Sequence, residues 1–150
     1  GGPRGTKTGR NLPAAAINTI AHSTGAAKAI GKVVPSVNGK LQGHAQRVQV
    51  PDGSVTELTT VLNTETTADE INAAFKAAFS DTDYYGYNDE GIVSSDILGD
   101  THGGVFDPTQ TDVNTIDGVT LARTVSFYDN EYGFTSNMIR TLLYFAEISE

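Results

Sequence analysis

The stretch "GVTLARTVSFYDN", residues 118–130, alternates in side-chain character over a length that suits one long β-strand. One face of this strand would carry four apolar residues: Val119, Leu121, Val125 and Phe127. The other face would carry small and polar residues: Thr120, Ala122, Thr124, Ser126 and Tyr128. The alternation therefore predicts a strand with one buried face.

Two helices are predicted from apolar residues that recur at helical spacing. The C-terminal helix should begin at about Ser136, and its apolar stripe would contain Met138, Ile139, Leu142, Leu143 and Ala146. The other helix should follow Thr67, whose spacing to Glu70 is that of a capping box. Its apolar face would contain Ile71, Ala74, Phe75, Ala78 and Phe79.

Other β-rich runs and one further helix complete the predicted fold. "LQGHAQRVQV", residues 41–50, and "SVTELTTVLN", residues 54–63, are separated by Pro51, Asp52 and Gly53, which predicts an antiparallel hairpin. A third helix is expected over residues 25–34. Helices and strands are segregated rather than alternating as βαβ units. The predicted class is therefore α+β, with a mostly antiparallel or mixed sheet covered by about three helices, the last of them C-terminal.

The composition narrows the classes of function. The net charge of -8 disfavours binding to nucleic acid, and no apolar run is long enough to span a membrane. The 150 residues contain no cysteine, which excludes disulfides, thiolate metal ligands and a thiol nucleophile within this chain. Residues 1–13 are rich in Gly and Pro and are predicted to be a loop, with Gly1 and Gly2 a remnant of expression. The domain would span residues 14–150.

Ser23, Thr24 and Gly25 precede the alanine-rich helical segment in "HSTGAAKAIGKVV", residues 22–34. The first N–H groups of a helix are unpaired and carry partial positive charge, so these residues could cap the helix or bind an anion. Both uses need the same residue types, although Gly25 would also let a ligand approach the backbone closely. Spacing alone leaves both interpretations open.

Arginines and one asparagine are the other binding candidates. Arg47 lies in a strand-like run and could grip phosphate with two hydrogen bonds, or it could be an exposed strand residue or an ion-pair partner. Arg10, in the N-terminal loop, is a weaker candidate of the same kind. Asn130, in the polar run after the long strand, could pair with a carboxamide on a ligand.

A hydrolase triad or a metal site is not predicted, although four chemically active residues lie close together in the sequence. Ser95, Asp96, Asp100 and His102 lack a nucleophile-elbow motif and the spacing of closed metal sites. We expect their hydrogen bonds to lock a turn, with His102 as a structural residue. We therefore assign no catalytic and no metal-binding residue within the chain.

Four stretches in this order resemble the catalytic domain of phosphorylating glyceraldehyde-3-phosphate dehydrogenases. They are "STGAAKAIGKV", "NGKLQGHAQRV", "VSSDILGDTHGGVFD" and "SFYDNEYGF". The resemblance implies that Thr24 and Gly25 line a substrate or inorganic phosphate site, with Arg47 and Arg10 as further phosphate ligands. It also implies that Asn130 holds the nicotinamide carboxamide of NAD. Phe127 and Phe134 depart from the family, which usually has Trp at the first position and often Tyr at the second.

The resemblance also implies what this chain lacks. The family's catalytic cysteine, the histidine that activates it and the NAD-binding Rossmann domain lie upstream of the matching region. No G-x-G-x-x-G motif occurs here. Residues 14–150 would therefore be a partial catalytic domain, inactive alone, of a glycolytic enzyme. That enzyme oxidises glyceraldehyde 3-phosphate to 1,3-bisphosphoglycerate with NAD and phosphate, and it is expected to be cytoplasmic and tetrameric.

A second hypothesis makes the chain an isolated interaction module. Members of the family are reported at cell surfaces in binding roles outside glycolysis, and a single domain could serve such a role. No sequence feature identifies a partner for it.

Overall fold

The computed structural model describes residues 18–149, so the predicted N-terminal loop and Arg10 lie outside the described residues. The chain divides into two compact units, residues 1–51 and residues 52–150. Within the described part, no helix is long and apolar enough to cross a membrane.

The described part of the first unit, residues 18–51, contains two short strands and one helix. Its elements are β1 (Ile20–Ser23), α1 (Ala26–Val33), a 3₁₀ turn (Pro35–Val37) and β2 (His44–Arg47). The strands are antiparallel, with Ile20 opposite Arg47 and Ser23 opposite His44. Gly31 of α1 is buried, and a Cβ at that position would lie 3.1 Å from the Cα of Asn38. Glycine therefore allows α1 to lie close to the turn that follows it.

The second unit is a five-stranded sheet with two helices. Its elements are β3 (Ser54–Leu62), α2 (Ala68–Phe79), β4 (Gly86–Tyr87), β5 (Val105–Phe106), a 3₁₀ turn (Pro108–Gln110), β6 (Asp112–Ile116), β7 (Val119–Tyr128) and α3 (Tyr132–Glu147). The strand order is β3-β7-β5-β4, and β6 also pairs with β7. Only β4 and β5 are parallel to each other. The predicted α+β class, with a mixed sheet, about three helices and a C-terminal last helix, is confirmed.

The long strand β7 organises this sheet. All of β3 pairs with it, from Ser54 opposite Tyr128 to Leu62 opposite Thr120, while β6 and β5 share its other edge. The predicted hairpin between residues 41–50 and 54–63 is therefore wrong, because β2 pairs with β1 instead. Strand β3 has nine residues and pairs with β7 over its whole length, whereas the four-residue β2 is too short to pair with all of β3.

Helix α2 covers one face of the sheet. Its predicted capping box is present: Glu70 N donates to Thr67 Oγ1 at 3.2 Å, and Thr67 N donates to Glu70 Oε2 at 2.9 Å. Phe75 of α2 stacks on Phe106 of β5 with ring centroids 4.1 Å apart. Phe106 is opposite Ser126 in the ladder, so α2 lies over the face of β7 that carries the small and polar residues.

The prediction of one buried face on β7 needs correction. Thr120 and Ala122, on the small and polar face, are each 1% exposed, whereas Val119 and Leu121 on the apolar face are 49% and 40% exposed. Val125, on the same face as Val119, is buried. Burial therefore changes face along the strand: the small and polar face is buried at Thr120 and Ala122, and the apolar face is buried at Val125.

Helix α3 begins at Tyr132, four residues before the predicted start at Ser136. Gly133 is its buried residue, whereas much of the predicted apolar stripe is exposed: Met138, Ile139, Leu142 and Leu143. A Cβ on Gly133 would lie 2.5 Å from the carbonyl oxygen of His102, so the first turn of α3 lies directly against that loop. The helix is thus held at its N-terminal end by backbone contact.

Candidate functional site

The start of α1 is an exposed helix N-terminus. Gly25 is the cap residue, and the first intrahelical bond runs from Ala29 N to Gly25 O at 3.0 Å. The N–H groups of residues 26–28 therefore precede the helical ladder. The Thr24 hydroxyl accepts from Ala26 N at 3.2 Å, so one of them is satisfied by the chain itself.

Gly25 leaves space in front of this helix. Its φ of -90° is open to any residue, so glycine is not needed there for backbone conformation. A Cβ at Gly25 would have no atom of the described residues within 4 Å. Because Gly25 has no side chain, a ligand could approach the backbone N–H groups closely here.

Arg47 lies at the other end of the two-stranded sheet of this unit. It is half-buried and faces the same side as Ile20 and His22, according to the register of β1 and β2. Arg47 lies opposite Ile20, and Thr24 lies four residues further along the chain, so at about 3.3 Å per residue the two are separated by roughly 13 Å along the strand direction. The structure places the two predicted phosphate residues in one unit without bringing their backbones together.

Asn130 follows β7 and is exposed. Its Oδ1 accepts a hydrogen bond of 2.7 Å from the Oγ of Ser54, the first residue of β3. Among residues 18–149, no hydrogen bond involves Asn130 Nδ2. Ser54 was not among the residues singled out from the sequence. It precedes Asn130 by 76 positions, and only the pairing of β3 with β7 reveals the contact.

Asp129, the neighbour of Asn130, is only 4% exposed and accepts three backbone hydrogen bonds. Its Oδ2 accepts from Gly99 N at 2.9 Å, and its Oδ1 accepts from Glu131 N at 3.0 Å and Tyr132 N at 2.7 Å. The bond from Gly99, followed by that from Tyr132, holds the pKa of Asp129 below its ordinary value, because each N–H stabilises the charged carboxylate. Asp129 therefore fixes the turn that carries Asn130.

Carboxylates surround this turn. Asp52, Asp129 and Glu131 have carboxylate oxygens within 4.8 Å of one another. Because both oxygens of Asp129 already accept backbone N–H groups, its charge is held in place by the fold. The surroundings of Asn130 suit a neutral or cationic group and oppose a phosphate.

The hydrogen bonds predicted for the turn with Asp96, Asp100 and His102 are present. Asp100 Oδ1 accepts from His102 N at 2.7 Å and is paired with His102 Nδ1 at the same distance. Asp96 Oδ2 accepts from Val93 N at 2.8 Å. These carboxylates therefore accept hydrogen bonds from their own loop.

Comparison with known proteins places the chain in a family. Residues 4–130 match the family model described as glyceraldehyde 3-phosphate dehydrogenase, C-terminal domain. The chain belongs to the glyceraldehyde 3-phosphate dehydrogenase family. This confirms the resemblance drawn from "STGAAKAIGKV" and the other three stretches.

Relatives named glyceraldehyde-3-phosphate dehydrogenase are similar over almost the whole chain. The protein of Lactobacillus delbrueckii subsp. bulgaricus is 56% identical over 98% of this chain and 43% of its own length. That of Streptococcus pyogenes serotype M1 is 54% identical over 94% of this chain and 41% of its own length. The protein of Streptococcus dysgalactiae subsp. equisimilis is 52% identical over 99% and 44%, respectively. The chain thus spans less than half the length of these relatives.

Proposed function

We propose that this chain is part of an NAD-dependent dehydrogenase of glycolysis. That enzyme would oxidise glyceraldehyde 3-phosphate to 1,3-bisphosphoglycerate with inorganic phosphate as co-substrate. The observation that carries the proposal is the 56% identity to a glyceraldehyde-3-phosphate dehydrogenase over 98% of the chain. Cytoplasmic location and assembly as a tetramer are part of the same proposal.

The phosphate-binding part of the proposal rests on the first unit. The start of α1 offers backbone N–H groups, the Thr24 hydroxyl and an approach cleared by Gly25. Backbone donors at a helix N-terminus, together with the helix dipole, favour a doubly charged anion. Arg47 would add a guanidinium, whose planar donor pairs match phosphate oxygens. Arg10 is proposed as a further ligand on the strength of the family pattern alone.

The cofactor part of the proposal rests on Asn130. A nicotinamide carboxamide needs a partner that can donate to its oxygen, and the Nδ2 of an exposed Asn130 meets this need. The nearby carboxylates of Asp52 and Glu131 favour the positive charge of an oxidised nicotinamide ring. When bound, NAD supplies the hydride acceptor. The residues present therefore fit this part of the cofactor.

The covalent chemistry must come from sequence outside these residues. The 150 residues contain no cysteine, so the thiol nucleophile implied by the family would be supplied by another part of the protein, with the histidine that activates it. We accordingly expect the 150-residue chain alone to give no turnover. In this proposal the chain binds and orients phosphate and nicotinamide for a reaction that is completed elsewhere.

An assay of the full-length protein carrying Arg47→Ala tests the phosphate part of this proposal. We expect the KM for inorganic phosphate to rise roughly tenfold or more, because hydrogen bonds to charged groups contribute about 1.5–3 kcal/mol. Lys40→Ala, which also removes one positive charge from the first unit, is the matched control and should leave this KM within about twofold. Equal effects of the two variants would mean that Arg47 acts only through its positive charge and does not bind phosphate directly.

The alternative, in which the chain acts alone as an interaction module, stays a prediction. The exposed apolar residues of α3, among them Met138 and Leu142, are the feature that would suit it. Retention of a partner by the purified chain, and loss of that partner on Leu142→Asp, would favour the module. Binding that disappears once traces of full-length enzyme are removed would count against it.

A further inference from the structure

We infer that Ser54 is a positioning residue for the cofactor: its hydroxyl orients the amide of Asn130 so that Nδ2 faces the nicotinamide carboxamide. The inference rests on the proposed function and extends it to a residue on a different strand. Ser54 begins β3, whereas Asn130 follows β7. The two residues meet because the β3–β7 ladder places Ser54 opposite Tyr128, two residues before Asn130.

The hydrogen bond restrains the rotation of the Asn130 amide in the orientation that the structure shows. Ser54 Oγ donates to Asn130 Oδ1 at 2.7 Å, a short distance for a hydroxyl donor. In a planar amide the N–H₂ group lies on the side opposite the carbonyl oxygen, so Nδ2 is turned away from Ser54. Without the hydroxyl, the exposed amide would lose this hydrogen bond and could rotate, so that Nδ2 would no longer be held toward the carboxamide.

The backbone of Asn130 is held separately from its side chain. Asp129 binds the N–H groups of Glu131 and Tyr132 on one side and of Gly99 on the other. Gly133 N also donates to the carbonyl oxygen of Asp129 at 3.2 Å. These bonds fix the backbone position of Asn130 but do not restrain the rotation of its side-chain amide. The hydrogen bond from Ser54 restrains that rotation.

Binding of two nucleotides to the full-length protein tests this assignment. NAD carries the carboxamide, whereas ADP-ribose has the same adenosine and diphosphate but no nicotinamide. For Ser54→Ala we expect the Kd for NAD, measured by titration calorimetry, to rise about three- to tenfold, the effect of one lost hydrogen bond. The Kd for ADP-ribose should not change, because Ser54 acts on the nicotinamide end only.

Three further variants complete the experiment. Ser54→Thr keeps the hydroxyl and should restore the NAD affinity to within about twofold of the unaltered protein. Asn130→Ala should weaken NAD at least as much as Ser54→Ala and also leave ADP-ribose unaffected. Ser80→Ala removes a hydroxyl that donates to Ala77 O at the end of α2, far along the chain, and should change neither affinity.

Each outcome separates the inference from the proposed function. If Asn130→Ala weakens NAD but Ser54→Ala does not, the positioning role is wrong and the proposed function stands. Equal weakening of NAD and ADP-ribose by Ser54→Ala would show a structural role and also overturn the inference. If the unaltered protein binds neither nucleotide, the proposed function fails and the inference fails with it. Weakening of NAD alone by both variants, with recovery in Ser54→Thr, supports both.

Discussion

In the part of the chain that the structure describes, two helices start just after a strand, and their first turns are built in opposite ways. Helix α3 follows β7 through Asp129, a buried carboxylate that accepts the N–H groups of Glu131 and Tyr132. Helix α1 follows β1 through Thr24 and Gly25, where a single hydroxyl accepts from Ala26. The donors at the start of α3 are thus bound by the protein, whereas at the start of α1 the residues that the structure describes give one such bond, from Ala26 N to Thr24 Oγ1.

The two starts also differ in the space around their glycines. Gly133 in the first turn of α3 lies against the backbone of His102, and a Cβ there would meet its carbonyl oxygen at 2.5 Å. Gly25 before α1 would meet nothing among the described residues within 4 Å. A glycine serves close packing in one place and open access in the other. A carboxylate of the protein that binds the first N–H groups of a helix stabilises the fold. A helix whose first N–H groups lack such a carboxylate can instead bind an external anion.

Gly133→Ala is expected to have the largest effect on stability. The added Cβ would collide with a backbone oxygen that cannot rotate away, so α3 or the loop at His102 must shift. Such overpacking costs about 3 kcal/mol of unfolding free energy, which urea unfolding followed by circular dichroism would measure.

Gly104→Ala is the matched control for that prediction. Its Cβ would lie 3.8 Å from the carbonyl oxygen of Phe127, an ordinary contact, so its loss should stay below about 1 kcal/mol. If both alanine variants were equally stable, α3 would not be held against the His102 loop. The contrast between the two helix starts would then be lost.

Asp129→Asn is expected to have the next largest effect, and the effect should depend on pH. The asparagine can still accept from Glu131 and Tyr132 through its oxygen, but its N–H₂ group would face the N–H donor of Gly99. Because the pKa of Asp129 is lowered in the folded chain, the charged carboxylate stabilises the fold above the ordinary aspartate pKa of about 3.9. This contribution is lost as the pH falls through the lowered pKa.

Thermal unfolding at two pH values would test this dependence. At neutral pH the variant should melt several degrees below the unaltered protein, and in acid the difference should shrink. Asp89→Asn, at an exposed carboxylate, should change little at either pH. A difference that is constant with pH would mean that the charge of Asp129 does not support the start of α3.

The contacts at α3 also show why only part of this molecule could be predicted from sequence. The capping box of Thr67 and Glu70 was predictable because its partners are three residues apart. The hairpin prediction failed because the composition of β2 and β3 identifies strands but not their partners. Asp129 accepts the N–H groups of Glu131 and Tyr132 at the start of α3, which begins four residues earlier than the apolar spacing indicated. Its other oxygen accepts from Gly99, 30 residues away in sequence.

The residues of the candidate site also differ in whether the sequence alone could predict them. Thr24 and Gly25 could be singled out because a cap and an anion site are both local patterns at a helix start. Ser54 could not be, because nothing near it in sequence refers to Asn130. The buried face of β7 could not be predicted for a related reason: Thr120 and Ala122 are buried while Val119 and Leu121 are exposed, and alternation alone does not say which face other elements cover.

Thr24→Val should have a small effect on stability. Valine keeps the methyl group that lies beside Gly43 but removes the hydroxyl that accepts from Ala26. Loss of a cap of this kind costs about 0.5–1 kcal/mol, measurable by urea unfolding. Thr24→Ser, which keeps the hydroxyl, should be nearly as stable as the unaltered protein. A loss as large as that expected for Gly133→Ala would mean that the Thr24 side chain stabilises the fold through more than its cap hydrogen bond.

Gly25→Ala should have the smallest effect on stability and yet change function. The φ of -90° suits alanine and the added Cβ meets no described atom within 4 Å, so the free energy of unfolding should change by less than about 0.5 kcal/mol. The same Cβ would stand where a phosphate approaches the N–H groups of α1, so the KM for inorganic phosphate in the full-length enzyme should rise severalfold. Unchanged stability with an unchanged KM would leave Gly25 as a simple cap residue. A stability loss would mean that the space before α1 is filled, as it is at Gly133.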